Sequence, residues 1–229
     1  MTTAPSDLTP KPKVLALSGG IGGAKLDLGL YHVLDPWELA IVANTGDDFR
    51  HLGLMICPDL DTIMYTLSDE ADTGKGWGRA GESWACLDEL KRLGGDSWFG
   101  LGDKDLAVHL HRSELLQSGM QLSEVTTQLF SRFGIQAHIW PMAEQPVGTI
   151  VQTKDARDLP FQHYFVKEQC AAEVAAFTYA GAEDAAPPVG LIEQISDPGL
   201  EAIVICPSNP FVSINPILSI KGVRQALVK

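Results

Sequence analysis

The stretch VLALSGGIGGAKLDLGL, residues 14–30, decides the fold of this chain. Its first four residues form an unbroken apolar run, which is typical of a strand buried on both faces of a parallel sheet. Four glycines follow at once, and apolar residues then recur at helical spacing from Lys25 as far as Leu34. An Asp-Pro pair at 35–36 ends that pattern before a second apolar run at 39–43. This order of strand, helix and strand predicts a βαβ unit.

The connection between the two strands predicts where the polar loops lie. A right-handed crossover brings the carboxyl ends of both strands to one edge of the sheet. The glycine turn is therefore expected beside the loop NTGDD, residues 44–48, which follows the second strand. A further apolar run at 202–205 leads into CPSNP, residues 206–210, which is another loop at the carboxyl end of a strand.

The rest of the chain divides into a helical middle and a return to strands. Helices are predicted at 61–67, 82–93, 105–116 and 123–133, with Ser123 as the N-cap of the last, and strands at 137–140, 149–153 and 161–166. The sequence thus predicts an α/β fold in which a mostly parallel sheet carries a largely helical insertion at about 59–135. We expect residues 13–229 to form one domain and residues 1–12 to form a flexible N-terminal tail.

Composition and charge exclude several classes of protein. A formal net charge of −12 disfavours nonspecific binding to nucleic acid or to a membrane, because both need a cationic protein surface. The sequence contains no apolar stretch long enough to span a bilayer, and residues 1–12 lack the apolar core of a signal peptide. The four cysteines lie far apart without CxxC spacing, which argues against a zinc site or a disulfide framework. We therefore expect a cytoplasmic protein.

The glycine turn predicts a phosphate site. Gly19, Gly20, Gly22 and Gly23 lie between a strand and a helix, where backbone N–H groups reach an anion at the positive end of the helix. A tight turn is the alternative role for such glycines. The stretch differs from a Walker A sequence because neither serine nor threonine follows Lys25, and the glycine fingerprint of NAD enzymes is broken at that same position. Lys25 is expected either to neutralise a phosphate or to lie exposed on the helix.

Four aspartates follow the predicted phosphate site in the sequence. Asp47 and Asp48 come directly after the second strand, and Asp59 and Asp61 come within the next loop and helix start. Asp59 has an alternative role as a helix cap. Carboxylates gathered near a phosphate repel one another unless a hard cation joins them, and Mg²⁺ binds carboxylate and phosphate oxygens together. The sequence therefore predicts a magnesium site, with Asp47 and Asp48 as the preferred ligands.

Six segments together resemble the 2-phospho-L-lactate transferase family of coenzyme F-420 biosynthesis. They are SGGIGGAKL, NTGDDFRHLGLMICPDLDTIMYTL, GWGRAGESW, WFGLGDKDLAVHLHRSELL, FQHYFV and CPSNPFVSINPIL, and the resemblance extends in order from Val14 to Leu227. It implies a Rossmann-like, homodimeric, magnesium-dependent enzyme. Such an enzyme transfers a phospho-acid (2-phospho-L-lactate, phosphoenolpyruvate or a relative) from a guanosine-diphosphate-linked donor to the deazaflavin FO, and it releases GMP.

The resemblance also implies roles for individual residues. Asp61 would contact FO and would serve in catalysis together with Asp48, while Gly100 lies at a position that the family uses near FO. The guanosine nucleotide would be bound by the glycines of the turn and by Lys25, together with three residues that follow the last strand: Ser208, Asn209 and Ser213. A turn fixed by prolines is the alternative role for that last loop.

Three tryptophans are candidates for a slot that holds the planar deazaflavin. Trp77, Trp84 and Trp98 offer large stacking surfaces with a polar edge, and an ordinary core position is the alternative for each. Two of the departures from the family concern the acceptor site and the length of the chain. Gly100 stands where the family often has lysine or arginine, and family chains continue well beyond the equivalent of Lys229, so we expect this chain to lack the C-terminal segment of the family.

Two other functions are alternatives to the transferase. The first is a noncatalytic regulator that binds a nucleotide or a sugar nucleotide. Two segments favour the transferase over it, PDLDT and the predicted strand FQHYFV. Both suggest a pocket for an acceptor, which a nucleotide sensor does not need. The second is an NAD-dependent oxidoreductase, in which Asp47 or Asp48 would bind ribose; the broken glycine fingerprint disfavours it. The three-carbon acid on the donor depends on the shape of the pocket and is left open.

Overall fold

The structure is a computed structural model and describes residues 11–228 of the chain. Most of the predicted N-terminal tail, residues 1–10, therefore lies outside the described residues. Lys11 and Pro12, which belong to the same predicted tail, both contact the folded chain. The Nζ atom of Lys11 lies 2.6 Å from the carboxylate of Asp197, and the Nε2 atom of Gln194 donates a hydrogen bond to the carbonyl of Pro12 at 2.9 Å.

The described chain contains both strands and helices, and four helices follow one another between β4 and β5. The strands are β1 Val14–Ser18, β2 Leu39–Ala43, β3 Phe49–His51, β4 Leu54–Ile56, β5 His138–Pro141, β6 Gly148–Thr153, β7 Asp158–Pro160, β8 Val174–Ala180 and β9 Ala202–Ile205. The helices are α1 Gly20–Val33, α2 Pro58–Leu67, α3 Ala85–Arg92, α4 Asp103–Gln117, α5 Leu122–Arg132, α6 Leu191–Ile195, α7 Asn215–Ser219 and α8 Val223–Leu227. Two short π-helical turns cover His163–Lys167 and Pro210–Ile214.

Four parallel strands form the central sheet in the order β5, β2, β1, β9. Val14 of β1 pairs with Leu39 of β2 on one side and with Ala202 of β9 on the other. The predicted α/β fold with a parallel sheet is confirmed. Because all four strands run the same way, their carboxyl ends lie at one edge of the sheet, and the polar loops predicted to carry the site begin there.

The side chains of β1 alternate between two apolar cores. Leu15 and Leu17 belong to a core that includes residues of α6, α7 and α8. Ala16 belongs to the core on the opposite face, together with residues of α1, α2 and α5. All five residues of β2 are buried as well. Burial on both faces explains why these strands are unbroken apolar runs in the sequence.

Four helices, α2 to α5, occupy residues 58–132, which is the region expected to form a helical insertion. A short antiparallel hairpin of β3 and β4 precedes them. The sequence analysis missed this hairpin, because three residues per strand are too few to establish an alternating pattern. A second sheet, antiparallel in the order β7, β6, β8, contains the strand predicted at 149–153 and the unpredicted strand β8.

The prediction of a strand at 161–166 is wrong. The chain leaves β7 at Pro160 and forms the helical turn His163–Lys167. Both edges of β6 are already paired, by β7 and by β8, so that this sheet offers the segment no place beside β6. Phe161 and Phe165, four residues apart, instead stack with ring centroids 5.4 Å from each other, a spacing that suits a helical turn.

The helices begin at residues other than those predicted: α2 at Pro58, α3 at Ala85 and α4 at Asp103 are each two or three residues from the predicted start, and α1 and α5 also differ. Helix α1 begins at Gly20 instead of Lys25, so three of the four glycines lie in its first turn. Helix α5 is capped by Gln121 instead of Ser123. The Glu124 carboxylate accepts the backbone N–H of Gln121 at 2.8 Å, the reciprocal arrangement typical of a capping box.

Candidate active site

Three loops meet at the carboxyl edge of the central sheet. The turn at Gly19 follows β1, residues 44–48 follow β2, and residues 206–209 follow β9. The backbone N–H of Gly19 donates to Ser208 Oγ at 3.1 Å, and Asn44 Nδ2 donates to the carbonyl of Val212 at 3.2 Å. The first bond joins the glycine turn to the loop after β9, and the second joins the loop after β2 to the helical turn Pro210–Ile214. The βαβ argument predicted that the glycine turn and residues 44–48 lie side by side.

Close packing explains why the turn contains glycines. A Cβ atom at Gly19 would lie 2.8 Å from Ser213 Cβ, and one at Gly22 would overlap the carbonyl of Pro207. A Cβ at Gly23 would lie 2.5 Å from Ser208 Oγ. The structure therefore explains these glycines by close packing in a tight turn. Phosphate binding by the same glycines stays a prediction. Gly20 requires glycine for another reason, since its φ of +64° is left-handed.

A buried acid lies beneath the glycine turn on α1. Ser18 Oγ donates to the carboxylate of Asp27 at 2.5 Å, and Cys206 Sγ lies 3.4 Å from its other oxygen. Burial raises the pKa of Asp27 to about 6, although the hydrogen bonds from Ser18 and Cys206 act in the opposite direction. Lys25 is exposed on the same helix, so its predicted contact with a phosphate stays open.

Asn44 joins two of the four predicted aspartates. Its fully buried amide donates from Nδ2 to Asp47 Oδ1 at 3.2 Å and to Asp59 Oδ2 at 2.8 Å. The second oxygen of Asp47 accepts a hydrogen bond from Gln162 Nε2 at 2.9 Å. The sequence analysis did not single out Asn44 or Gln162. Asn44 lies within the quoted NTGDD motif, whereas Gln162 was hidden in the segment mistaken for a strand.

The carboxylates of this cluster are hard to ionise together. Burial, reinforced by the charges of Asp59 and Asp48, raises the pKa of Asp47 well above its ordinary value. Burial also raises the pKa of Asp48, despite a hydrogen bond from Cys57 and the charge of Arg112. The pKa of Asp59 rises to about 6, mainly through burial. A nearby cation would offset all three penalties.

The same residues fit a magnesium ion. Among residues 11–228, Asp48 Oδ1 is buried and has no hydrogen-bond partner, and Asp47 and Asp59 accept hydrogen bonds from the same amide nitrogen. Mg²⁺ is commonly held by one or two carboxylates plus substrate phosphates and water. Asp47 and Asp59, whose oxygens accept from the same amide nitrogen, therefore supply two carboxylates of the right kind. Asp59 was not among the ligands that the sequence analysis preferred, and magnesium binding by Asp48 stays a prediction.

Asp61 lies in a buried ion pair whose two charges also act on Asp48. Arg112 of α4 donates from Nη1 to one oxygen of Asp61 at 3.0 Å and from Nη2 to the other. His109 Nδ1 lies 3.1 Å from Arg112 Nη1, and His109 Nε2 lies 3.2 Å from Asp105 Oδ1. Tyr65 donates to the same oxygen of Asp105 at 2.6 Å. The expected role of Asp61 at FO stays a prediction, and the network that holds it was not predicted.

The ion pair makes a second metal site here unfavourable. Asp61, Asp105 and His109 offer three ligand atoms within 4.8 Å of one another. The guanidinium of Arg112 already binds both oxygens of Asp61 and faces His109, so an added cation would meet a fixed positive charge.

The three candidate tryptophans fall into two groups. A Cβ atom at Gly100 would lie 3.5 Å from Trp77 and 3.8 Å from Trp84, and the ammonium of Lys75 lies 4.6 Å from the Trp84 ring centroid. Trp98 packs in a different aromatic cluster. Its ring centroid lies 5.0 Å from that of His163, 5.3 Å from His51, 5.6 Å from Phe99 and 5.7 Å from Phe49. Gly100 therefore lies beside two of the three tryptophans.

The loop after β9 contains the last predicted nucleotide residues. Asn209 Oδ1 accepts the backbone N–H groups of Phe211 at 2.9 Å and Val212 at 3.3 Å, so this side chain caps the turn Pro210–Ile214. Ser208 and Ser213 both lie against the glycine turn. Nucleotide binding by these three residues stays a prediction.

Within residues 11–228, none of the helices has the length and apolar character needed to cross a membrane.

Comparisons with known proteins agree with the resemblance. Residues 14–229 match the family model described as 2-phospho-L-lactate transferase CofD. The chain is 42% identical over 220 residues to a phosphoenolpyruvate transferase of Kitasatospora aureofaciens. The aligned residues cover 94% of this chain and 68% of that protein. It is 40% identical over 230 residues to a phosphoenolpyruvate transferase of Mycolicibacterium smegmatis, with 94% and 70% covered.

Solved structures show a similar fold. A Bacillus halodurans protein of the UPF0052 family aligns with a TM-score of 0.64 at 16% identity, covering 95% of this chain and 65% of that one. At this identity the likeness concerns the fold alone. The chain spans about two thirds of the length of the proteins it matches.

Proposed function

The chain belongs to the 2-phospho-L-lactate transferase family, and on that premise we propose that it transfers a phospho-acid from a guanosine-diphosphate-linked donor to the deazaflavin FO, with release of GMP. Phosphoenolpyruvate is the favoured acid, because the similar proteins are named phosphoenolpyruvate transferases. Family membership also leads us to propose Mg²⁺ as the cofactor and a homodimer as the assembly.

One observation carries the proposal: the carboxylates meet the first turn of α1 at one edge of the sheet. The glycine turn lies against Asp59, and Asp59 shares the amide of Asn44 with Asp47. A helix N-terminus and a group of carboxylates that suits a hard cation are the two features needed to bind a diphosphate. A dehydrogenase site has no need of so many carboxylates.

The residues have separable tasks in such a reaction. The terminal hydroxyl of FO attacks the phosphorus that carries the three-carbon acid, and the phosphate of GMP leaves. Backbone N–H groups in the first turn of α1 would face the diphosphate, and Asp47 and Asp59 would hold Mg²⁺, which would neutralise charge on the leaving group. Asp48 is suited to orient the hydroxyl and accept its proton, because its Oδ1 has no partner in residues 11–228 and burial raises its pKa.

A turnover assay tests the proposal. The full chain is incubated with FO, Mg²⁺ and donors that carry either phosphoenolpyruvate or 2-phospho-L-lactate, and the products are separated by chromatography. We expect equal amounts of GMP and of a phospho-acid derivative of FO, with the phosphoenolpyruvate donor preferred. GMP without the FO product would indicate hydrolysis and contradict the transferase. Binding of GDP without binding of FO would favour the nucleotide-binding regulator.

Asp48→Asn supplies the matched variant for this assay. The exposed Asp88 on α3 provides a control with the same chemical change. Asp48→Asn should lower turnover about 100-fold or more, since general-base catalysis is typically worth that much. Asp88→Asn should keep wild-type turnover. Equal losses in turnover and thermal stability in Asp48→Asn would assign Asp48 a structural role.

A further inference from the structure

Four buried or partly buried side chains of α2 and α4 form a continuous row that ends at Asp61. Asp61 contacts Arg112, Arg112 contacts His109, and His109 faces Asp105. The three residues of α4 follow one another at spacings of four and three residues, which places them on one face of that helix. His109 is 1% exposed and Arg112 is 2% exposed, so water does not compete for their contacts.

The contacts of this row assign the proton of the His109 ring. Arginine can only donate, so the Nδ1 atom of His109, which lies 3.1 Å from Arg112 Nη1, is the acceptor of that bond. The ring proton then lies on Nε2, which faces Asp105 Oδ1 at 3.2 Å. Tyr65 donates to the same oxygen of Asp105 at 2.6 Å, so α2 anchors the far end of the row as well.

His109 restricts the position of the Arg112 guanidinium. Two nitrogens of the guanidinium donate to the two oxygens of Asp61, and this fork leaves each carboxylate oxygen with a further lone pair. An arginine side chain is long and has many rotamers, so it can reach one carboxylate in several ways. The third contact, from Nη1 to His109, selects one of them. The remaining lone pairs of Asp61 are thereby held in a fixed direction.

A carboxylate held in this way suits a hydroxyl that must be oriented for reaction. A group that positions a substrate does so well only when its own geometry is fixed by its neighbours. The charges of both Asp61 and Arg112 act on Asp48, so the row ends close to the carboxylate that we propose as acceptor of the hydroxyl proton.

We propose that His109 is a positioning residue for the acceptor: it holds Arg112, and through Arg112 it holds the Asp61 carboxylate toward the hydroxyl of FO. The inference rests on the proposed function. His109 itself contacts no substrate and transfers no proton in the reaction.

Calorimetric titration of the full chain with FO, in the presence of GDP and Mg²⁺, tests this proposal. His109→Leu removes both ring contacts, whereas His109→Asn keeps an oxygen that can accept from Arg112. His109→Leu should weaken FO binding about tenfold, the loss expected for one hydrogen bond, and should leave the affinity for GDP unchanged. His109→Asn should recover most of the FO affinity.

His111→Leu is the matched control, because His111 is exposed on the same helix. It should stay within about twofold of wild type for both ligands. In turnover assays of His109→Leu, the KM for FO should rise more than kcat falls. A merely structural role would lower the affinities for FO and GDP together. Equal losses for the two ligands, or an unchanged affinity for FO, would overturn the proposal.

Nitrogen NMR of the histidine rings tests the row in the wild-type chain, whether or not His109→Leu folds. The ring of His109 should carry its proton on Nε2 and none on Nδ1, and the spectrum of His109→Asn, which lacks this ring, identifies its signals. The opposite tautomer or a doubly protonated ring would overturn the proposal, because Nδ1 could then not accept from Arg112.

The wild-type titration distinguishes this inference from the proposed function. A wild-type chain that binds GDP but not FO would contradict the acceptor and the role of His109 together. A wild-type chain that binds FO, with equal binding by His109→Leu, would contradict the role of His109 alone and leave the transferase standing.

Discussion

Arg112 and Asp61 form a buried ion pair that joins α4 to α2 across 51 residues of sequence. Their side chains are only 3% and 7% exposed, and the guanidinium contacts both carboxylate oxygens. Removal of one partner from such a pair leaves an uncompensated buried charge, which costs more than the pair itself contributes. Arg112 thereby fixes the position of the aspartate that we expect at the acceptor.

Arg112→Met should lower the free energy of unfolding by about 3–5 kcal/mol, because Asp61 then stays buried without its partner. Urea denaturation measures the loss. The double variant Arg112→Met with Asp61→Asn serves as the control and should recover part of it, since neither charge is then left alone. A loss below about 1 kcal/mol in the single variant would show that the pair is solvated in solution.

Asp61→Ala should weaken binding of FO about tenfold to 100-fold, which is the range expected when a charged hydrogen-bond partner is lost. Binding of GDP to the same preparation should change little, because the nucleotide loops contact each other through Ser208 and Asn44 and do not involve Asp61. Calorimetry with each ligand gives both affinities. An unchanged affinity for FO would remove Asp61 from the acceptor site.

Asp27 should make the protein less stable as the pH rises from about 4 to 6. Its pKa is near 4 in the unfolded chain and about 6 in the folded one, so the folded state holds a proton that the unfolded state has already lost. The contribution is full below pH 4 and is lost as pH passes 6, for a total of about 3 kcal/mol. Urea denaturation at several pH values measures the slope. Asp27→Asn should reduce it, whereas Asp88→Asn should keep it; equal slopes in both variants would refute the assignment.

Gly23→Ala should destabilise the chain by about 1–3 kcal/mol, since the new methyl group would press on Ser18 and Ser208. Gly29→Ala on the same helix is the matched control, because nothing lies within 4 Å of a Cβ at that position. That control should be more stable than wild type by about 0.5–1 kcal/mol. Chemical denaturation ranks the two. If both variants gain stability, the loops do not pack as tightly as described.

The central strands could be predicted because their signal is local. Residues 14–17, 39–43 and 202–205 are unbroken apolar runs, and each leads within one or two residues into a loop that begins with glycine, asparagine or a Cys-Pro pair. The same local logic placed the glycine turn beside the NTGDD loop. Strands β3 and β4 could not be predicted because they are short. Each has three residues, which are too few to show the alternation of apolar and polar residues that identifies a strand.

The site contacts that the sequence analysis missed join residues far apart along the chain. Gln162 and Asp47 are separated by 115 residues, and Arg112 and Asp61 by 51. No spacing rule connects such positions, because only the folded chain brings them together. Gln162 had a further obstacle, since the apolar and aromatic residues around it imitate a strand.

The alternation of β1 between two apolar cores has a consequence for how the strands find their register. A shift of β1 by one residue would exchange Leu15 and Leu17 for Ala16, yet both faces would still be apolar, so hydrophobicity alone discriminates weakly between alignments. The hydrogen bond from Gly19 to Ser208 forms in only one of them. The polar contacts of the site therefore also help to select the register in which β1 pairs with its neighbours. Substitution of Ser208 should increase the fraction of chains that fold with a shifted register.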